Sequence, residues 1–303
     1  MKICVNMPVD WPEAGPFLQA AELAKIAVAA EQAGFHALSV TDHPCPTGEW
    51  LDAGGHYAQD PFVILGLLAA ATRTIRLQTG IIVLPYRNPF LTARAIATLD
   101  VVSGGRTLLG FGGGYLEGEY RALGVDFERR GALMDEYLTA MKLAWTEDEF
   151  SFEGSGYRAV GNRIRPHPLQ RPYPPIYIGG TSRRAARRAA EAGDGWNPFT
   201  TDSSATPGSD GGKGPEAEGA LSETIAHLDA VCDRIGRTRR PEILVSGFAR
   251  IGKEWHSDYM LAKLDRYAAL GVCAVRIDLD SETPAEWCEK AERFGKEIIA
   301  QIA

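Results

Sequence analysis

The chain has 303 residues, 45% of them hydrophobic, enough to bury the core of one large barrel or of two ordinary domains. Its formal net charge of −7 argues against a nucleic-acid partner, which would need a basic face to neutralise phosphates. Five scattered cysteines without a Cys-x-x-Cys pair, and six histidines without metal-ligand spacing, disfavour disulfides, structural zinc and metal-assisted hydrolysis.

Met1-Lys2 leads straight into Ile3-Cys4-Val5 with no apolar leader, and no stretch approaches the roughly 18 apolar residues of a membrane span. The expectation is a cytoplasmic protein without a membrane partner. There is no Gly-x-Ser-x-Gly elbow and no Gly-x-x-x-x-Gly-Lys-Ser/Thr loop, so the chemistry is expected to belong to a bound cofactor.

Short β-rich runs alternate with helical patterns along the chain. The expected strands are Lys2–Val5, Ala37–Val40, Ile75–Val83, Thr107–Gly110, Ile176–Ile178, a very short one at Gly195–Asn197, Ile243–Ala249 and Ala274–Leu279. The expected helices are Phe17–Gln32, Pro61–Ala71, Pro89–Val102, Arg130–Trp145, Arg183–Ala192, Ser222–Ile235, Ser257–Leu270 and Pro284–Ile302. Asp60-Pro61 reads as an N-cap followed by Pro at the first helical position, while Gly34 and Gly271 read as helix stops. Strand–helix alternation of this number and length fits an α/β class (β/α)₈ TIM barrel, taken as a single domain over residues 1–303. Two segments interrupt it. Phe150–Pro175, rich in aromatics, glycine and proline, reads as an excursion, a hairpin, before strand five; Ser203–Gly219, poor in apolar residues, reads as a mobile loop after strand six, a linker or a lid.

In such a barrel the ends of the strands carry the site. Strand two ends in Thr41-Asp42-His43-Pro44, where an Asp beside a His can orient an imidazole for proton transfer; an Asx turn before Pro44 with His43 merely exposed explains the same residues. Strand three carries Gly80 among β-branched neighbours, the mark of a bulge or of a close approach. Strand four empties into Gly110-Phe111-Gly112-Gly113-Gly114-Tyr115, with Glu117 and Glu119 beyond it, and as Gly-x-Gly alone this is a weak signal. Strand five leads into Gly179-Gly180-Thr181-Ser182-Arg183-Arg184. Two glycines let the backbone close on an anion there, and the first N–H groups of the next helix are free donors at the positive end of its dipole. A plain turn capped by Thr181 or Ser182 is the alternative.

Together, Thr41-Asp42-His43, the run Thr79 to Pro89, Asp100 to Arg106 with Leu109 to Tyr115, and Ile178 to Ser182 with Gly193-Asp194-Gly195-Trp196 resemble the bacterial luciferase-like monooxygenase superfamily, from Met1 to about Phe199. The chain looks most like its oxidoreductases dependent on the deazaflavin coenzyme F420, with FMN-dependent members as close relatives. The resemblance implies a tricyclic ring at the barrel mouth, backed by a non-prolyl cis peptide at Gly80–Ile81, with Asp42 and His43 beside the reactive ring as the catalytic pair. It places the cofactor phosphate on Gly179, Gly180, Thr181 and Ser182 with Arg183 as a contact, and Gly113, Gly114 and Tyr115 along the ring and ribityl chain. No metal is implied. Some sugar-phosphate dehydrogenases of the family carry Trp where this chain has Thr47, which makes glucose 6-phosphate a poor substrate; Cys45–Tyr57, with Trp50 and His56, is expected to shape the pocket instead. The expected activity is hydride transfer between F420 and a small organic substrate. The alternatives are an FMN monooxygenase supplied by a separate reductase, and a deazaflavin-binding protein without turnover. The family analogy also implies a homodimer.

Overall fold

The computed structural model describes residues 1–10, 15–206 and 214–302. Its parallel strands are β1 (Lys2–Asn6), β2 (Ala37–Ser39), β3 (Arg76–Gln78), β4 (Ile82–Val83), β5 (Thr107–Gly112), β8 (Ile176–Gly179), β9 (Gly195–Asn197), β10 (Glu242–Ile251) and β11 (Ala274–Leu279), while β6 (Phe150–Gly154) and β7 (Tyr157–Asn162) form a separate antiparallel hairpin. The order β3-β2-β1-β11-β10-β9-β8-β5, closed by pairing of β3 with β5, is a ring of eight positions in which β3 and β4 share the third. The expected (β/α)₈ barrel is what the chain forms, and the hairpin is the expected excursion.

Helices α1 (Ala20–Gln32), α2 (Gly48–Asp52), α3 (Pro61–Ala71), α4 (Pro89–Val102), α5 (Glu117–Ala122), α6 (Arg130–Thr146), α7 (Arg183–Ala192), α8 (Gly214–Arg234), α9 (Ser257–Ala269) and α10 (Pro284–Phe294) follow the strands. Their starts are set by side chains that satisfy orphan N–H groups: Asp60 Oδ1 accepts from Phe62 and Val63, Asn88 Oδ1 from Phe90, and Ser182 Oγ from Ala185. Asp60 therefore caps α3, as its sequence context suggests.

Several boundaries differ from expectation. Phe17 lies in a separate short turn, Pro16–Leu18, ahead of α1. The last helix changes to a wider turn at Gly295–Ile299, where a side chain on Gly295 would run into the Ala33 carbonyl 2.5 Å from its Cβ. Both ends of the expected mobile loop, Ser203–Gly219, are structured: α8 begins at Gly214, and Ser203 and Ser204 are tied to the barrel, the first accepting from Arg250 N through its carbonyl. Buried Lys263 bridges Asp202, Ser204 and the Phe248 carbonyl beneath them. The centre of that expected loop, residues 207–213, lies outside the described residues.

The run expected as one strand, Ile75–Val83, is broken. Gln78 pairs with Leu108 and Ile82 with Phe111, so four residues of strand three advance against three of β5, which is a β-bulge over Thr79-Gly80-Ile81. Gly80 takes φ +54, open to glycine at little cost, and the Gly80–Ile81 bond is trans: the cis peptides among the described residues are Arg165–Pro166 and Arg171–Pro172. The expected cis bond is thus replaced by a glycine in the left-handed region. Thr79 Oγ1 accepts from Gly110 N at 2.8 Å and staples the bulge to β5.

Inside the ring, Cys4, Ala37, Leu108, Tyr177, Leu244 and Ala274 form the lower apolar layer. Side chains two residues further along each strand share its face. The layer above is therefore Asn6, Ser39, Gly110, Gly179, Ser246 and Arg276, joined by Asn197, which exchanges hydrogen bonds with Ser246. The interior turns from apolar to polar halfway up. Below, Arg106 of the Ser-Gly-Gly-Arg motif clasps Ile75 O, Ala69 O and Thr72 Oγ1, each at 2.9 Å, and is structural.

Candidate active site

The C-terminal mouth of the barrel opens on a cavity of about 1280 Å³. Asp42, His43, Gly80, Ile81, Gly113, Gly114, Tyr115, Gly179, Gly180, Thr181 and Ser182 all line it, so the expected site residues meet in one place. Arg183 does not line it; Arg184 and Arg188 do. Residues four apart share a helix face, which puts Arg184 and Arg188 on one stripe of α7 and Arg183 and Arg187 on the next. Arg188 is mostly buried and paired with Asp135.

Asp42 and His43 are adjacent in sequence and serve different partners. Asp42 is buried and accepts from both ends of the Arg87 guanidinium at 2.6 and 2.8 Å and from Val83 N at 3.0 Å. It does not orient the imidazole, contrary to the sequence expectation, because successive residues of an extended segment point to opposite sides. The imidazole is held by Glu119: Nδ1 lies 3.1 Å from Oε2 of a carboxylate that is 0% exposed. The same Oε2 accepts from Tyr86 Oη at 2.9 Å, and Oε1 from Cys45 N at 3.3 Å. Burial, together with this carboxylate, pushes the Tyr86 hydroxyl well above the usual tyrosine range and keeps it a donor. Burial and Glu119 likewise raise the Cys45 thiol. Sequence reasoning noted Glu119 only as one of two carboxylates in a loop. Its signal was the Glu-x-Glu spacing: on the short helix α5 the two residues point about 200° apart, so one turns inward.

A collar of rings surrounds His43, with centroids 4.9 Å to Trp50, 5.0 Å to His56 and 5.9 Å to Tyr115. Trp50 comes from α2, whose N-cap is Thr47. Thr47 packs so closely on α5 that a Cβ on Gly118 would meet its Cγ2 at 2.2 Å, so bulk at position 47 is refused from this side.

Across the mouth, Gly180 has φ +115, its N–H donates to Asn197 O and its carbonyl accepts from Trp196 Nε1 at 2.8 Å. The turn is thereby fixed, while the first N–H groups of α7 lack partners one turn back, as at any helix start. Ile81 lies in a valley of glycines, since a Cβ on Gly179 or Gly112 would meet it at 2.3 or 2.7 Å.

A family model of luciferase-like monooxygenases matches residues 3–206. The chain belongs to this family. It is 34% identical over 174 residues to an FMNH(2)-dependent dimethylsulfone monooxygenase of Pseudomonas putida, covering 56% of this chain and 46% of that protein. It is 37% identical over 182 residues to an F420-dependent glucose-6-phosphate dehydrogenase of Nocardia farcinica, covering 58% and 52%. The chain thus spans about half the length of these curated relatives. Among solved structures, the monooxygenase RslO1 from Streptomyces bottropensis superposes over 100% of both chains with a TM-score of 0.83 at 22% identity. An F420-dependent secondary alcohol dehydrogenase in complex with an F420-acetone adduct superposes over 99% and 98% with a TM-score of 0.75 at 16% identity. At these identities the structures establish the shared fold. Among the described residues no helix is long and apolar enough to cross a membrane.

Proposed function

We propose that this luciferase-like protein is an oxidoreductase that moves a hydride between coenzyme F420 and a small organic substrate at the barrel mouth. The observation that carries the reading is one cavity that joins a glycine turn and helix start, Gly179 to Ser182, to a buried acid–base pair, His43 and Glu119. The residues fit a phosphate-bearing tricyclic cofactor. Gly180 sits where an L side chain is strained, and Gly112, Gly113 and Gly114 leave a bare wall beside the Ile81 bulge. When bound, the deazaflavin supplies the hydride-accepting or hydride-donating carbon.

The chain's own part is positioning and proton handling. Backbone N–H groups of the α7 start would hold the phosphate, and the Ile81 bulge would support the ring. With Glu119 accepting from Nδ1–H, the Nε2 atom of His43 is the one left to take or give a proton at the substrate. Trp50, His56 and Tyr115 stand around the imidazole, which is only 7% exposed. The likeness to the dimethylsulfone monooxygenase favours FMN as a second reading, with a separate reductase as partner.

The test is equilibrium titration of the purified chain with F420 and with FMN, alongside Thr181→Asp, which sets a negative charge on the exposed turn without touching the core. Binding of F420 alone, lost in the variant, is the expected result. Binding of FMN alone turns the assignment to the second reading, and binding of neither overturns both.

A further inference from the structure

Arg276 stands on the floor of the mouth cavity, inside the barrel on β11 and only 6% exposed. Its NH1 donates to Ser39 Oγ at 3.1 Å, and its Nε is buried without a hydrogen-bond partner. Among the described residues no carboxylate comes within 4.0 Å of the guanidinium. The nearest acidic charge on its own strand, Asp278, accepts instead from Asn6 Nδ2 at 2.6 Å. The Phe199 ring, half exposed at the cavity, lies 6.0 Å above the guanidinium carbon. Asp278 therefore acts on the guanidinium only from a distance, and a buried guanidinium without a directly paired carboxylate is costly.

The sheet order locates this cation. β1 is four strands from β8 in either direction round the ring, and Arg276 on β11 and Ser39 on β2 flank β1. Their bond spans the side of the mouth farthest from the Gly179–Ser182 turn. A cofactor anchored on that turn and backed by the Ile81 bulge leaves the Arg276 side for the molecule it reacts with. Of the other cations that line the mouth, Arg188 pairs with Asp135, Arg250 with Asp280 and Lys290 with Glu286, while Arg184, on the Gly179–Ser182 side, and Lys253 are exposed to solvent, so Arg276 is the buried one without a paired carboxylate.

We infer that Arg276 is the substrate-anchoring residue and that the substrate carries a carboxylate, seated against the side of the guanidinium that faces the cavity, next to Phe199. A planar two-oxygen anion matches a planar donor edge, and one unpaired guanidinium suits a single negative charge. Naming this anion the substrate rests on the proposed oxidoreductase reading; the site itself does not.

The experiment titrates the full chain, without added cofactor, with acetate and benzoate and with their neutral counterparts acetamide and benzamide, by calorimetry. The acids should bind, the amides should not, and Arg276→Met should weaken the acids roughly tenfold to a hundredfold, as loss of hydrogen bonds to a charged partner does. F420 and FMN affinities should not move in that variant. Conversely, Thr181→Asp should spare acid binding, so failure of the cofactor reading and failure of this inference are separate results. Thermal melting checks the fold, and Arg276→Gln, which keeps a donor for Ser39 but no charge, is the second variant. Equal binding of acids and amides, or acid binding that survives both substitutions, overturns the inference. So does a loss of cofactor affinity in Arg276→Met with acid binding intact.

Discussion

His43 Nδ1 and Glu119 Oε2 meet at 3.1 Å although 76 residues separate them, one leaving β2 and the other entering α5 beyond β5. The carboxylate is closed off from water and shares its oxygens with Tyr86 and Cys45, so it cannot swing away from the ring. Glu119→Gln keeps the size and one acceptor but removes the negative charge that faces Nδ1. Turnover should fall by roughly 10²-fold, within the range of general acid–base contributions. Cofactor affinity and substrate KM should stay near wild type. A variant that loses cofactor binding in step with kcat would make Glu119 a structural residue only.

The Asp42–Arg87 pair makes a different claim. Arg87→Met leaves a buried carboxylate with only the Val83 N–H to hold it. Removing one partner of a buried pair is costly, and a loss of about 3 kcal/mol is expected in a urea or guanidinium melt. Replacing both, Asp42→Leu with Arg87→Met, should recover much of that. If the single and double variants melt alike, the pair does not act as a unit.

The contrast between these two pairs shows what the sequence could and could not carry. The alternation of strands and helices, the capping residues Asp60 and Ser182, and the glycine turn at Gly179-Gly180 are local signals, and each was legible. The partners of Asp42 and His43 were not, because they come from loops beyond strands three and four, and no local pattern encodes which loop folds over which. Arg276 was passed over for a similar reason. In β11 it reads as one polar residue in an alternating strand, and only closure of the ring shows that its face is the inside of the barrel. Position within α7 misled as well: the first arginine after the cap was assigned to the mouth, whereas helix rotation brings the second.

The glycines that back the site differ in how they can be replaced. A Cβ on Gly110 would stand 1.6 Å from the Gly80 carbonyl oxygen, a backbone atom fixed by the bulge. A Cβ on Gly179 would stand 2.3 Å from Ile81 Cδ1, the end of a side chain. Gly179→Ala should therefore cost about 1–3 kcal/mol and be eased by Ile81→Ala, a coupling that a double-mutant cycle in thermal or denaturant melts reads directly. Gly110→Ala should cost more and gain no relief from Ile81→Ala. Equal relief at both positions would show that the bulge backbone yields.

At the other end of the barrel, His36 sits ahead of β2, and burial, with the charges of Lys2 and Arg76 beside it, pulls its pKa down to about 4. In the unfolded chain the value is about 6.5. Between those values the unfolded state holds a proton that the folded state does not, so stability rises with pH across the interval and is lost as pH falls from about 6.5 towards 4. Below that both states are protonated and no further loss comes from this group. Denaturant midpoints near pH 7 and near pH 5 should therefore differ, and His36→Asn should reduce the difference while leaving cofactor affinity at the opposite, C-terminal mouth unchanged. An identical pH dependence in wild type and variant would assign the loss to other groups. A fall in cofactor affinity would show that the two ends of the barrel are coupled.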